Sequence, residues 1–189
     1  MWNSINELLN EIIDEEYVFL RNTELIKDDF DETQDWDILC KDAEKFILKI
    51  HAKPLNELTD KNKCFNYYTM VNNKKLLIDI RVIGDGYYDE LWEKQMLKER
   101  ILCDNYYVLD NLNEKYSILY HSLIQKKTDE NSKYKKYIIK NFGDWNVMHN
   151  ITQLTDFMKK KNYCFVAPID SWVYLNKENI ILLEEKMNG

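Results

Sequence analysis

Two stretches decide how this chain is read: Asp35-Trp36-Asp37-Ile38-Leu39-Cys40 and, further along, Leu76-Leu77-Ile78-Asp79-Ile80-Arg81-Val82. Both are short apolar runs broken by aspartates, which predicts buried strands. Residues i and i+2 of a strand share a face. Asp35 and Asp37 therefore project side by side, an arrangement that repels unless a cation lies between them. Asp79 interrupts the second run, and a buried carboxylate there is costly without a partner. If the two strands are neighbours, three carboxylates converge on one face. Hard divalent ions such as Mg²⁺ or Mn²⁺ take oxygen ligands of this kind. Paired metals in such a site can activate a nucleophile oxygen and hold a triphosphate for in-line displacement. Arg81 lies on the same side of its strand as Asp79, placed to neutralise it or to clamp a phosphate.

Upstream of Asp35, Ser4 to Glu15 carries apolar residues at helical spacing, with Ser4 as N-cap. Tyr17-Val18-Phe19-Leu20 predicts a first buried strand, and residues 23–34 a polar connection. Downstream, Asp42 caps a helix burying Phe46, Ile47 and Ile50. Cys64–Val71 and Lys74–Ile83 form a hairpin about Asn72-Asn73. Gly84-Asp85-Gly86 ends the second strand in a turn with positive φ. Helices are predicted over Tyr88–Arg100 (Leu91, Trp92 and Met96 inward), Asn113–Lys127, Tyr134–Asn141, Val147–Lys161 and Glu178–Met187. A short strand is predicted at Tyr106–Leu109. Cys164–Ala167 and Trp172–Leu175 suggest a small hairpin about Pro168-Ile169-Asp170. The expected fold is α+β, a mixed sheet with a helical partner layer. Residues 1–110 would form the α/β core, and residues 111–189 a helical region with the small hairpin, packed on it as one unit.

Composition sets the bounds. The chain has 189 residues, with 45% hydrophobic and 31% charged side chains, the balance of a globular protein. The formal net charge of −7 argues against a nucleic-acid partner, which needs a cationic face. Lys126, Lys127, Lys133, Lys135, Lys136 and Lys140 crowd one segment, most simply a solvated helix face. The cysteines at 40, 64, 103 and 164 form no CxxC pair and sit in apolar contexts, which predicts buried free thiols and a reducing compartment. No apolar run approaches the length of a membrane span or a secretory signal, so a cytoplasmic location is expected.

Tyr17-Val18-Phe19-Leu20-Arg21-Asn22, Asp35-Trp36-Asp37-Ile38-Leu39 and Ile78-Asp79-Ile80-Arg81 together resemble the polymerase-β-type nucleotidyltransferase superfamily. A narrower likeness, to nucleotidyltransferases found near surface-polysaccharide genes, takes in Gly84-Asp85-Gly86-Tyr87-Tyr88-Asp89 with Trp92, and Leu119–Lys126. It covers roughly residues 16 to 127, with a weaker echo from Asn162 to Asn176. The resemblance implies a mixed sheet, a metal-binding triad of Asp35, Asp37 and Asp79, and a nucleoside triphosphate donor. The superfamily carries Gly-Ser after its first strand, where this chain has Leu20-Arg21-Asn22-Thr23. Arg21, Asn22 and Thr23 would take over phosphate binding there, with Arg81 and Lys126 as further phosphate ligands.

Asp85, Tyr87 and His121 are the candidates for the acceptor side. A lone helical histidine is more often a packed, hydrogen-bonded residue. The expected activity is Mg²⁺-dependent transfer of a nucleotidyl group to a small-molecule hydroxyl, such as a sugar phosphate, or to a protein hydroxyl. Two alternatives stay open: a binding or regulatory module with little activity, and a sugar-phosphate transferase using a nucleotide-activated donor.

Overall fold

The computed structural model describes residues 1–55, 66–127, 132–170 and 172–189, with nothing described of the side chains of Ser132 and Lys133. Within these residues the protein is mixed α/β. The strands are β1 (Tyr17–Arg21), β2 (Asp35–Cys40), β3 (Lys53–Pro54), β4 (Asn66–Val71), β5 (Lys74–Val82), β6 (Ile101–Cys103) and β7 (Tyr106–Val108). They form one sheet in the order β3-β4-β5-β2-β1-β7-β6. The helices are α1 (Ile5–Ile12), α2 (Ala43–Lys49), α3 (Glu90–Glu99), α4 (Asn111–Ile124), α5 (Ser132–Phe142), α6 (Val147–Lys161) and α7 (Lys177–Asn188).

The period-2 alternation of the central strands sorts their side chains onto two faces. Tyr17, Phe19, Trp36, Ile38, Ile78 and Ile80 pack with α1 and α2. Val18, Leu20 and Leu39 face the other way, into a larger apolar cluster with Trp92, Leu119, Leu154 and Leu183. That cluster joins side chains from both halves of the expected 1–110 and 111–189 division. The sheet is thus the middle of three layers, and Asp37, Asp79 and Arg81 belong to the face under the larger helical layer.

Local signals account for several boundaries. Ser4 Oγ accepts from Glu7 N at 3.1 Å, and Asp42 Oδ1 accepts from Lys45 N at 3.0 Å, as N-caps do. Asn72 and Asn73 take φ of 51° and 63° in the β4–β5 turn. Gly84 and Gly86 end β5 with φ of 82° and 77°. A Cβ on Gly86 would collide with the Ala167 carbonyl, so this glycine admits the segment that follows α6.

Several expectations need correction. Residues 164–170 and 172–175 contain no strand, so the small hairpin is absent from these described residues. The segment is held by tertiary bonds instead: Ile169 N donates to Asp85 O at 2.8 Å and Asn176 N to Ile124 O at 2.8 Å. Strand β6 was not anticipated. Leu91 is exposed, and Glu93 takes the buried position on α3. Cys40 is buried, but Cys103 lies exposed on the outermost strand and Cys164 exposed in the irregular segment. Cys64, with the start of its expected strand, lies outside the described residues. Lys135, Lys136 and Lys140 are exposed, as a solvated face requires. No helix among the described residues is long and apolar enough to cross a membrane.

Candidate functional site

The two deciding strands are neighbours. β2 and β5 pair in parallel, with Asp37 directly opposite Asp79 and Asp35 opposite Leu77. Asp37 and Asp79 therefore emerge side by side, with Asp35 one pleat repeat toward the start of β2. Asp37 is 5% exposed, whereas Asp35 stands exposed at the rim. Among the described residues no three His, Cys, Asp or Glu side chains group closely enough to hold a metal ion by themselves.

Each of the two facing carboxylates is paired with an arginine. β1 runs antiparallel to β2, and its register shifts between Phe19 and Arg21, which brings Arg21 opposite Asp37. The irregularity turns Arg21 to the same face as Leu20. Its Nη2 donates to Asp37 Oδ1 and, at 2.9 Å, to Tyr87 Oη. Asn22 follows in the left-handed conformation (φ 58°), and its Nδ2 donates to Asp37 Oδ2 at 3.1 Å. Arg81 Nη2 reaches Asp79 Oδ2 at 3.0 Å and Asp170 Oδ2 at 3.2 Å. The Tyr87 ring lies beneath both guanidiniums, 4.2 Å from that of Arg81 and 5.7 Å from that of Arg21. Such a ring face attracts cations, and more strongly away from water.

The electrostatics follow from this crowding. Burial pushes the Asp37 carboxyl up to about 6; Arg21 opposes the shift, and Asp35 and Asp79 add to it. Burial also raises Asp79, against the pull of Arg81. Asp79 Oδ1 and Arg21 Nη1 are buried and have no hydrogen-bond partner among the described residues. An orphaned acceptor and an orphaned cationic donor on one cavity wall mark places a ligand could satisfy.

These groups line a cavity of about 310 Å³, within the usual range for small-molecule sites. His121 and Lys126 of α4 contribute to its wall. His121 Nδ1 lies 3.1 Å from Tyr87 Oη and 3.0 Å from Gln125 Oε1. Gln125 Nε2 in turn donates to the Tyr87 carbonyl at 2.6 Å. A continuous chain thus runs from Asp37 through Arg21 and Tyr87 to His121 and Gln125.

The structure brings together Asp35, Asp37, Asp79, Arg21, Asn22 and Arg81, with Tyr87, His121 and Lys126 beside them. Two expected residues stand apart. Thr23 lines a different cavity, next to Cys103 and Tyr106. Asp85 is buried beneath the turn, accepting from Tyr87 N at 2.8 Å and Val82 N at 3.3 Å, so its work is to shape the strand end. Asn66, Gln125, Tyr134, Asp170, Trp172 and Tyr174 line the cavity without having been anticipated. Gln125 follows His121 by one helical turn, a spacing that could have flagged it. Asp170 and Trp172 come from a distant segment and left no local signal.

Fold and site define a mixed-sheet protein whose cavity is polar and highly charged, with acidic and basic side chains close together on one sheet face. Comparison with protein-family models, with curated proteins and with solved structures found no match.

Proposed function

We propose that the chain is a metal-dependent nucleotidyltransferase acting on a nucleoside triphosphate and a small-molecule or protein hydroxyl. One observation carries the reading: Asp37 and Asp79 stand in register on adjacent parallel strands, with Arg21 and Arg81 beside them in one cavity.

The donor set suits a divalent cation. Asp79 Oδ1 is buried without a partner, and Asp37 sits with two other carboxylates near enough to raise its pKa. Asp37, Asp79 and the rim residue Asp35 would hold the ion. Once bound, it would neutralise phosphate oxygens and hold them for in-line attack. Arg21, through its unpartnered Nη1, and Arg81 would bind triphosphate oxygens, with Lys126 at the cavity wall. Tyr87 keeps both guanidiniums in place through its ring and hydroxyl. The acceptor oxygen forms a bond to the α-phosphorus, the bond to pyrophosphate breaks, and the hydroxyl proton passes to the Asp79 carboxylate.

A second reading is favoured by a specific contact. Arg21 and Asn22 engage both oxygens of Asp37 where the superfamily it resembles has Gly-Ser. A site closed in this way would bind a nucleotide without turning it over. Calorimetric titration of ATP, CTP, GTP and UTP with Mg²⁺, followed by product analysis with a sugar-phosphate acceptor, separates the two. Binding with pyrophosphate release supports the transferase. Binding without release supports the module, and no binding of any of the four at millimolar ligand contradicts nucleotide recognition altogether.

A further inference from the structure

Trp172 is 77% exposed, yet it lines the same cavity as the buried arginines. Trp2, Trp36 and Trp92, by contrast, are buried. An exposed indole forgoes a large burial gain, so its display at the mouth of a charged cavity asks for a use. The display is anchored. Asp170 is fixed by Arg81 at 3.2 Å and accepts from Trp172 N at 2.9 Å. Beyond Trp172, Asn176 N is tied to Ile124 O at 2.8 Å. Tyr174, also exposed, stands near α4, with the Lys127 ammonium 5.8 Å from its ring centre. The same arginine that meets Asp79 on the cavity floor thus holds the lip that presents the indole.

We propose that Trp172, with Tyr174 beside it, is the stacking surface for the planar base of the nucleotide, a reading that rests on the phosphate-binding floor proposed above. Phosphate oxygens would meet Arg21 and Arg81 at the floor, and the base would lie on the indole at the lip. Stacking uses the ring face and tolerates any base, so the subsite recognises nucleotides as a class. It separates them from inorganic polyphosphate, which carries no ring.

Calorimetry of ATP and of inorganic tripolyphosphate, each with Mg²⁺, on the wild type, Trp172→Ala and Trp172→Phe tests this. Base–aromatic stacking predicts that Trp172→Ala weakens ATP binding about tenfold. Tripolyphosphate binding should stay unchanged, and Trp172→Phe should recover most of the loss. The exposed position keeps folding out of the comparison. ATP binding by Trp172→Ala within twofold of wild type would overturn the proposal, as would an equal loss for tripolyphosphate. A wild type that binds tripolyphosphate as tightly as ATP would refute the stacking surface and leave the floor standing. A wild type that binds neither would refute both.

Discussion

Replacing Arg21 with methionine keeps most of the buried volume and removes one charge from the centre of the site. Asp37 would then keep only Asn22 Nδ2 as a hydrogen-bond donor, with Asp35 and Asp79 still raising its pKa. Removing one partner of a buried ion pair costs about 3–5 kcal/mol, because the other charge is left uncompensated. The carboxyl can avoid that cost by holding a proton. In the wild type its pKa is already pushed from 3.8 to about 6, with Arg21 resisting; without Arg21 it goes higher. An acid whose folded pKa exceeds its unfolded one keeps a proton that the unfolded chain releases. Its contribution to stability therefore declines as pH rises from the unfolded to the folded pKa. For Asp37 that decline ends near pH 6 in the wild type and continues beyond it in Arg21→Met. At pH 5 the variant should lose about 1–2 kcal/mol, the scale of its missing hydrogen bonds. At pH 8 the loss should reach about 3–5 kcal/mol. Urea unfolding in EDTA, followed by tryptophan fluorescence and far-UV circular dichroism, measures both. A loss below about 1 kcal/mol at pH 8, or an equal loss at the two pH values, would show that Arg21 and Asp37 are not a buried pair.

Three further outcomes are expected. Gly86→Ala meets both a positive φ and the Ala167 backbone, so it should cost more than about 2 kcal/mol, whereas Gly143→Ala, with open space around it, should cost about 1; thermal melts compare them. Glu93 accepts from Gly84 N at 2.7 Å and Tyr88 N at 3.1 Å, and burial, with Asp85 adding to it, pushes its carboxyl up to about 8. The folded protein keeps that proton while the unfolded chain loses it near 4.5, so stability should fall between those values, and Glu93→Gln should flatten the fall in a urea series. Asp85→Ala should loosen the turn without changing nucleotide affinity as much as Arg81→Ala does, since Asp85 binds backbone amides and Arg81 lines the cavity; calorimetry of matched folded variants distinguishes them.

Much of the sheet and the centre of the site were legible because their signals are local. Alternation in Asp35–Cys40 and Lys74–Val82 fixed which face each aspartate takes, and Asn72-Asn73 marked the hairpin. The apolar spacing from Val147 to Lys161 gave α6 with its observed ends. The failures came where partners decide structure. Cys164-Phe165-Val166 carries strand-forming residues, but Cys164 N donates to Asp89 Oδ2 at 3.0 Å, and the segment beyond it is tied through Ile169 N to Asp85 O and Asn176 N to Ile124 O rather than to a sheet edge. Ile101-Leu102-Cys103 is too short for periodicity to mark, and only pairing with Tyr106–Val108 makes it a strand. Arg21 read as a phosphate ligand from its place after the first strand. Its pairing with Asp37 depends on a register shift that sequence spacing does not reveal. Asp170 and Trp172 became site residues only through the tertiary anchor to Arg81.

The most direct test is calorimetric titration of ATP, with and without Mg²⁺, into the wild type and Asp79→Asn. The substitution keeps the side-chain shape and leaves Arg81 its bond to Asp170, so circular dichroism and thermal stability should change little. The account predicts that Mg²⁺ strengthens ATP binding to the wild type and no longer does so in Asp79→Asn. An unchanged Mg²⁺ enhancement in the folded variant would contradict it.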